Sequence, residues 1–245
     1  AAVVFAFIIS PWIFRNTLLH GKLTGIETSM GYNLYLGYHP AGNGSFIFGP
    51  SLDLLTIMDD SERDAVGTQK AVEFIRAKPE RFIPLALNRL GFFFGLEKRV
   101  LMYFYSNNIL GYIPAPILLL ISLVLLLPFV LICIFSVLGL VALRRSPPVD
   151  MLYLLFAAYL FPHVFILAED RFHLALVPFI TILASFAIAL IRTGAYKTVT
   201  NPKVWLLASV LVLFLVLNWG YELQRDADKI TTLFSPEGNR SHFTY

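Results

Sequence analysis

Apolar residues fall into five blocks along this chain, separated by polar stretches of very unequal length. The first block, residues 1–12, opens the chain without Met and inside an apolar run. Twelve helical residues reach about 18 Å, short of the roughly 30 Å of a bilayer's hydrocarbon. No basic segment precedes the block and no small-residue cleavage site follows it, so it does not read as a signal peptide. The expectation is a truncated transmembrane helix, with chain preceding Ala1. Residues 13–112 are mostly polar and read as a long loop. Four apolar segments then follow closely, at 113–143, 151–168, 174–191 and 204–220, before a polar tail at 221–245. The segment 113–143 would be about 46 Å long as a helix, enough to span, with Pro128 expected to kink it.

Within the long loop, Gly31, Gly37, Gly42, Gly44 and Gly49 read as turn positions. Ser61-Glu62-Arg63-Asp64 has the form of a capping box and predicts a helix start. Ala65, Val72 and Ile75 would share one face of that helix, and Pro79 ends it and opens the next. The second helix sets Phe82, Ile83, Leu87 and Leu90 against Arg81 and Arg89. Such a basic amphipathic pair predicts helices lying in the membrane interface.

Composition supports the membrane reading. The chain is 57% hydrophobic and only 14% charged, against about 25% charged in soluble domains, and its mean hydropathy is +0.70. That excludes a soluble enzyme, a disordered chain and a basic nucleic-acid module; no nucleic-acid partner is expected. The net charge of +3 fits loop Lys and Arg on the inner side of a membrane. Arg144 and Arg145 follow the second block, and Arg192, Lys197 and Lys203 lie between the last two. Positive-inside bias puts those loops in the cytoplasm, and the long loop, the 169–171 turn and the tail outside. The expected class is therefore an all-α integral membrane protein, a polytopic helical bundle whose extracytoplasmic loop carries interfacial helices. Its domains are the truncated helix 1–12, the loop 13–112, four transmembrane helices in 113–220 and the extracytoplasmic tail 221–245.

The chemical signals are few. There is no phosphate-binding Gly-rich loop, no His-Glu-x-x-His and no Gly-x-Ser-x-Gly. The one cysteine, Cys133, sits among Leu, Ile and Phe and reads as a packing residue. His163, inside a span, is open to a packing or a functional reading. The turn Glu169-Asp170-Arg171-Phe172-His173 pins two carboxylates, a guanidinium and an imidazole at membrane level. It could hold a phosphate through the Arg fork, or its charges could pair locally. Arg76, Lys78, Arg81, Arg89, Lys98 and Arg99 outnumber the nearby Glu73, Glu80 and Glu97, and such residues most simply meet anionic lipid headgroups. Asn43-Gly44-Ser45 and Asn239-Arg240-Ser241 match the glycosylation pattern.

Three segments, taken in order, carry a resemblance. They are Pro11-Trp12-Ile13-Phe14-Arg15-Asn16 followed by Gly31-Tyr32-Asn33-Leu34-Tyr35-Leu36-Gly37-Tyr38-His39-Pro40; residues 71–82, AVEFIRAKPERF; and Arg171-Phe172-His173-Leu174 leading to Val177-Pro178-Phe179. Together they resemble the C-terminal part of polytopic glycosyltransferases of the GT-C superfamily. The nearest types are polyprenyl- or dolichyl-phosphate-sugar enzymes, protein mannosyltransferase-like and aminoarabinose transferase-like. The resemblance implies an inverting transferase that takes a sugar from a polyprenyl-phosphate carrier on the outer membrane face. It also implies a catalytic base in an early loop that this chain does not contain, which leaves the catalytic residue unnamed. Arg171 and His173 are the candidates to bind the donor phosphate, with Arg15 and Arg99 behind them. The lipid-linked sugar donor, membrane lipids and an unidentified acceptor are the expected partners; no metal site is assigned, no cofactor is identified, and a divalent metal requirement stays open. The expected setting is a bacterial or archaeal plasma membrane. A polysaccharide ligase or polymerase, a non-catalytic membrane subunit and a transporter part are the alternatives. Transport is disfavoured because no repeated half is seen.

Overall fold

The computed structural model describes residues 2–199 and 201–243. Ala1, at the head of the first expected span, and residues 244 and 245 of the expected tail lie outside the described residues. Among the described residues eleven α-helices follow one another: α1 Ala2–His20, α2 Met30–Tyr38, α3 Phe48–Asp53, α4 Asp60–Ala77, α5 Phe82–Phe93, α6 Arg99–Ser106, α7 Ala115–Ala142, α8 Pro147–Phe165, α9 Val177–Arg192, α10 Pro202–Arg225 and α11 Ala227–Leu233. Among the described residues there is no strand. Five segments are long and apolar enough to cross a membrane: Ala2–His20, Ala115–Ala142, Pro147–Phe165, Asp170–Arg192 and Pro202–Arg225. Their large apolar side chains are widely exposed, as with Val3, Phe7, Leu120, Val124 and Leu217, which hydrocarbon tolerates and water does not. The protein is an all-α integral membrane protein.

The span ends differ from those expected. The first helix does not stop at Trp12; it runs through Pro11 to His20. The polar residues that suggested a loop are satisfied in place. Asn16 Nδ2 donates to the carbonyls of Gly25 and Ile26 at 3.0 and 2.9 Å, and Trp12 Nε1 donates to Ile26 at 2.8 Å. Likewise α7 passes through Pro128 without interruption, and α10 continues beyond Gly220 to Arg225. The tail is helical over α11, and Asn239, in the second glycosylation pattern, is buried with its amide on Asn108 at 2.7 Å.

The described chain forms two compact units. The first comprises residues 2–90 and Phe161–Glu169. Here the cap of α4 lies two residues before the expected box: Asp59 is the cap and accepts the Glu62 N–H at 2.7 Å. That bond, with His20 behind it, holds the Asp59 carboxyl below the usual carboxylate range. The cap is therefore in place at neutral pH and is lost as pH falls below that range. The inward face of α4 runs through Gly67, Ala71 and Phe74, not Ala65, Val72 and Ile75. The reason is close helix approach. A Cβ on Gly31 would lie 1.9 Å from the Asp64 carbonyl oxygen, and one on Gly67 would lie 2.6 Å from that of Gly31. Gly31 and Gly37 are thus contact positions within α2, and Gly49 is helical in α3; of the five expected turn glycines, Gly42 and Gly44 remain in the connection.

A second correction concerns α5. Ile83 and Leu87 are exposed, at 61% and 59%, whereas Arg89 is 0% exposed. Its guanidinium donates to the carbonyls of Gly37 at 2.6 Å and Val164 at 3.2 Å and lies 4.2 Å above the Tyr38 ring. Arg81 donates to the Gly42 carbonyl at 2.7 Å. Both cations therefore serve carbonyls at and beyond the C-terminus of α2, where helix oxygens lack internal partners. Arg89, being buried, does not present itself to lipid headgroups.

The second unit comprises Gly91–Leu160 with 170–243. In it α7 packs on α9 and α10 around Leu96, Cys133, Ile180, Leu215 and Trp219, so Cys133 is a packing residue. Gly139 lets α7 approach α9, because a Cβ there would lie 2.1 Å from the Leu183 carbonyl oxygen; small residues serve membrane helix contacts in this way. Gly139→Ala should destabilise the protein by about 1–3 kcal/mol. Gly220→Ala, whose Cβ meets nothing within 4 Å, should be neutral or stabilising by up to about 1 kcal/mol. Thermal unfolding of the detergent-solubilised variants checks the opposite signs.

Candidate functional site

The charged cluster of the second unit is built on the connection between α5 and α6. Its backbone is held by one face of α10. Asn218 Nδ2 donates to the Gly91 carbonyl at 2.9 Å, and Trp219 Nε1 donates to that of Phe94 at 2.8 Å. One helical turn on, Glu222 accepts the Leu96 N–H at 2.8 Å. These side chains satisfy groups left open where α5 ends. Gly95 is needed here because a Cβ would come 3.2 Å from the Glu222 carboxylate and 3.0 Å from the Phe92 carbonyl oxygen.

Three consecutive side chains then diverge to three partners. Lys98 turns inward, is 8% exposed, and pairs with Glu222 and, at 3.0 Å, with Asp226. Burial pushes the Asp226 carboxyl up, but Arg225 and Lys98 outweigh it and hold the group below its ordinary value. Glu97 directs Oε1 toward His173 Nε2 at 3.7 Å. Arg99 Nε stands 3.5 Å from Asp170 Oδ1. Burial, with Asp170 adding to it, raises the Glu97 carboxyl above its ordinary value.

His173 is buried in a 3-10 segment, Asp170–Leu176, that leads into α9. Its ring stacks on Phe129 with centroids 4.2 Å apart and 18° between planes, and Nδ1 lies 2.9 Å from the Phe93 carbonyl oxygen. Arg171 is exposed, with its guanidinium 5.9 Å from the centre of the Phe172 ring. The second unit therefore gathers Arg99, Arg171 and His173 from the expected set. Arg15 belongs to the first unit, on α1, where it donates to Asn16 at 3.0 Å and lies 5.1 Å from the Trp12 ring centre. Glu169 is buried and belongs to the first unit, as does the half-buried His163 of α8.

Lys98, Glu222 and Asp226 were not singled out from sequence as members of the site. In the sequence Lys98 and Glu97 sit among a run of surface charges, and Glu222 and Asp226 fall in the polar tail. One signal was present: Glu222 and Asp226 stand four residues apart, one helical turn, directly after an apolar run. Among the described residues, no three His, Cys, Asp or Glu side chains gather as a metal-ligand set. Two cavities, of about 250 and 580 Å³, lie where α7 and α9 end, lined by residues that include Ala142, Leu190 and Trp205, with Arg144 at the larger. They sit about 20 Å along α9 from the charged cluster. Comparison with protein-family models, with curated proteins and with solved structures finds no match.

Lys98→Met would leave the Glu222 carboxylate buried and uncompensated. It should cost about 3–5 kcal/mol, and Lys98→Met combined with Glu222→Met should recover most of that loss. Denaturation midpoints of the purified protein for both variants check the non-additivity.

Proposed function

We propose that this chain forms the C-terminal part of a membrane glycosyltransferase that moves a sugar from a polyprenyl-phosphate donor to an acceptor at the outer membrane face. The observation that carries this reading is the position of Arg99, Arg171 and His173 at the polar start of the apolar segment Asp170–Arg192. A lipid-linked donor presents its phosphate at headgroup depth and its chain below, which requires cations above an apolar helix surface. The order of the sequence segments that resemble the GT-C superfamily supports the same reading, and the long loop then faces the outside.

In this chemistry the bond between the anomeric carbon and the phosphate oxygen breaks, and its electron pair leaves with the phosphate. Arg171, exposed and always charged, presents a planar fork to that phosphate. Arg99 adds a second cation whose position Asp170 fixes. Donors aimed at developing charge in a water-poor site lower the barrier most. The base that takes the acceptor's proton is assigned outside this chain.

Arg171→Ala in the full-length protein should reduce sugar transfer by about 10²–10³-fold while leaving the protein folded in the membrane. Arg171→Lys should recover only part of the loss, because a point charge does not replace the fork. Transfer assays with a polyprenyl-phosphate sugar, normalised to inserted protein, check this; wild-type activity in Arg171→Ala would sink the phosphate assignment.

A further inference from the structure

Two adjoining cavities lie within the second unit, where α7 and α9 end and α10 begins, and they differ in chemistry. The smaller, about 250 Å³, is walled by Leu138, Ala142, Ala187, Leu190 and Trp205 among others. The larger, about 580 Å³, adds Arg144, Ser146 and Asn201 to apolar neighbours. Ala142 and Leu190 line both, so the two meet. Leu138 and Ala187 stand one helical turn before Ala142 and Ile191, about 6 Å deeper into the spans. The apolar chamber therefore extends toward the hydrocarbon, and the polar chamber opens just past Ala142, where a span ends. Side chains tie these walls together. Trp205 Nε1 donates to the Val199 carbonyl at 2.9 Å, Asn201 caps α10 by accepting the Lys203 N–H at 3.0 Å, and the Tyr153 hydroxyl donates to the Leu140 carbonyl at 3.0 Å.

Charge at this end is one-sided. The connections 143–150 and 192–203 carry Arg144, Arg145, Arg192, Lys197 and Lys203 against one carboxylate, Asp150. Arg145 meets that carboxylate at 2.7 Å and lies 5.5 Å from the Tyr153 ring centre. Arg144 is the cation that lines the larger cavity, and among the described residues it has neither a hydrogen bond nor an ion pair. The first turn of α10 supplies Asn201 and Val204 to the same wall, which adds the positive end of a long helix dipole. A guanidinium fork matches a phosphate, and a basic pocket between spans at headgroup depth meets lipid phosphates above all other anions. The chamber beside it suits the chain that such a phosphate carries.

We propose that the paired cavities bind one anionic phospholipid, its phosphate on Arg144 and an acyl chain in the chamber between Leu138 and Trp205. The bound lipid joins the ends of α7 and α9 to the start of α10. The site shares no residue with the Arg171 cluster and does not depend on the transferase reading.

The test titrates the full-length protein in detergent with phosphatidylglycerol and, separately, with phosphatidylcholine, and counts bound lipid by native mass spectrometry. Phosphatidylglycerol should bind about fivefold more tightly than phosphatidylcholine; equal affinity for the two would overturn the anionic assignment. Arg144→Ala should weaken phosphatidylglycerol binding by about tenfold. Arg145→Ala removes the same charge beside the cavity and should cost clearly less. Equal losses from the two variants would reduce the effect to diffuse attraction and overturn the site. Phosphatidylglycerol with a photoreactive diazirine in its acyl chain locates the lipid on the wild type, with no variant needed. Labelling is expected within 138–142, within 187–191 or at Trp205, and labelling confined to other segments would overturn the site. Inorganic phosphate should not displace the lipid; displacement would assign Arg144 to a free anion and overturn the lipid as occupant.

Discussion

Lys98 is the residue on which the charged cluster depends. Drawn inward by Glu222 and Asp226, it fixes the rotation of the chain between α5 and α6. With Lys98 committed to α10, its neighbours Glu97 and Arg99 are turned toward the 170–173 segment. A buried cation of this kind contributes little net stability, because desolvation offsets most of the attraction. Its effect is on specificity of placement: any other rotation would leave Lys98 and Glu222 buried without an ion partner. Glu222 also binds the Leu96 backbone, so α10 determines both the path of the connection and the direction of its side chains.

The first unit applies the same principle with a different set of partners. Arg89 is fully buried yet is bound by the backbone oxygens of Gly37 and Val164 and by the face of Tyr38. Carbonyl dipoles and a ring quadrupole take the place of carboxylates. Gly37 permits this closeness because it has no side chain: a Cβ there would lie 1.9 Å from the Ile166 carbonyl oxygen and 3.1 Å from the Arg89 guanidinium. In each unit, then, a buried cation fixes the local chain: Arg89 through backbone carbonyls, Lys98 through the carboxylates of Glu222 and Asp226.

These interior cations explain what could be read from the sequence. The spans were legible because an unbroken apolar run of helical length has few alternatives in a membrane. Their ends were not, because Asn16, Thr17 and Glu222 look like loop residues until their partners are known. Pro79 separated α4 from α5 as expected, since its ring fixes the backbone locally. The inward faces of those helices were misjudged for a tertiary reason: glycine contacts between α2 and α4 turned α4, and the carbonyls around α2 drew Arg89 inside. The candidate site shows the same division. Arg171 and His173 stood out because a short charged turn between two spans is conspicuous. Glu97 and Lys98 did not, because the residues that define them, His173, Glu222 and Asp226, lie far along the chain.

The proposed donor site lies among Arg99, Arg171 and His173, where a lipid-linked phosphate would lodge. Photocrosslinking tests it most directly, using the full-length protein in membranes and a polyprenyl-phosphate sugar with a photoreactive group next to the phosphate. Labelled residues are expected within 96–102 and 169–176, with labelling displaced by unmodified donor. Displaceable labelling confined to other segments, such as the Arg144 end of α7, would contradict it.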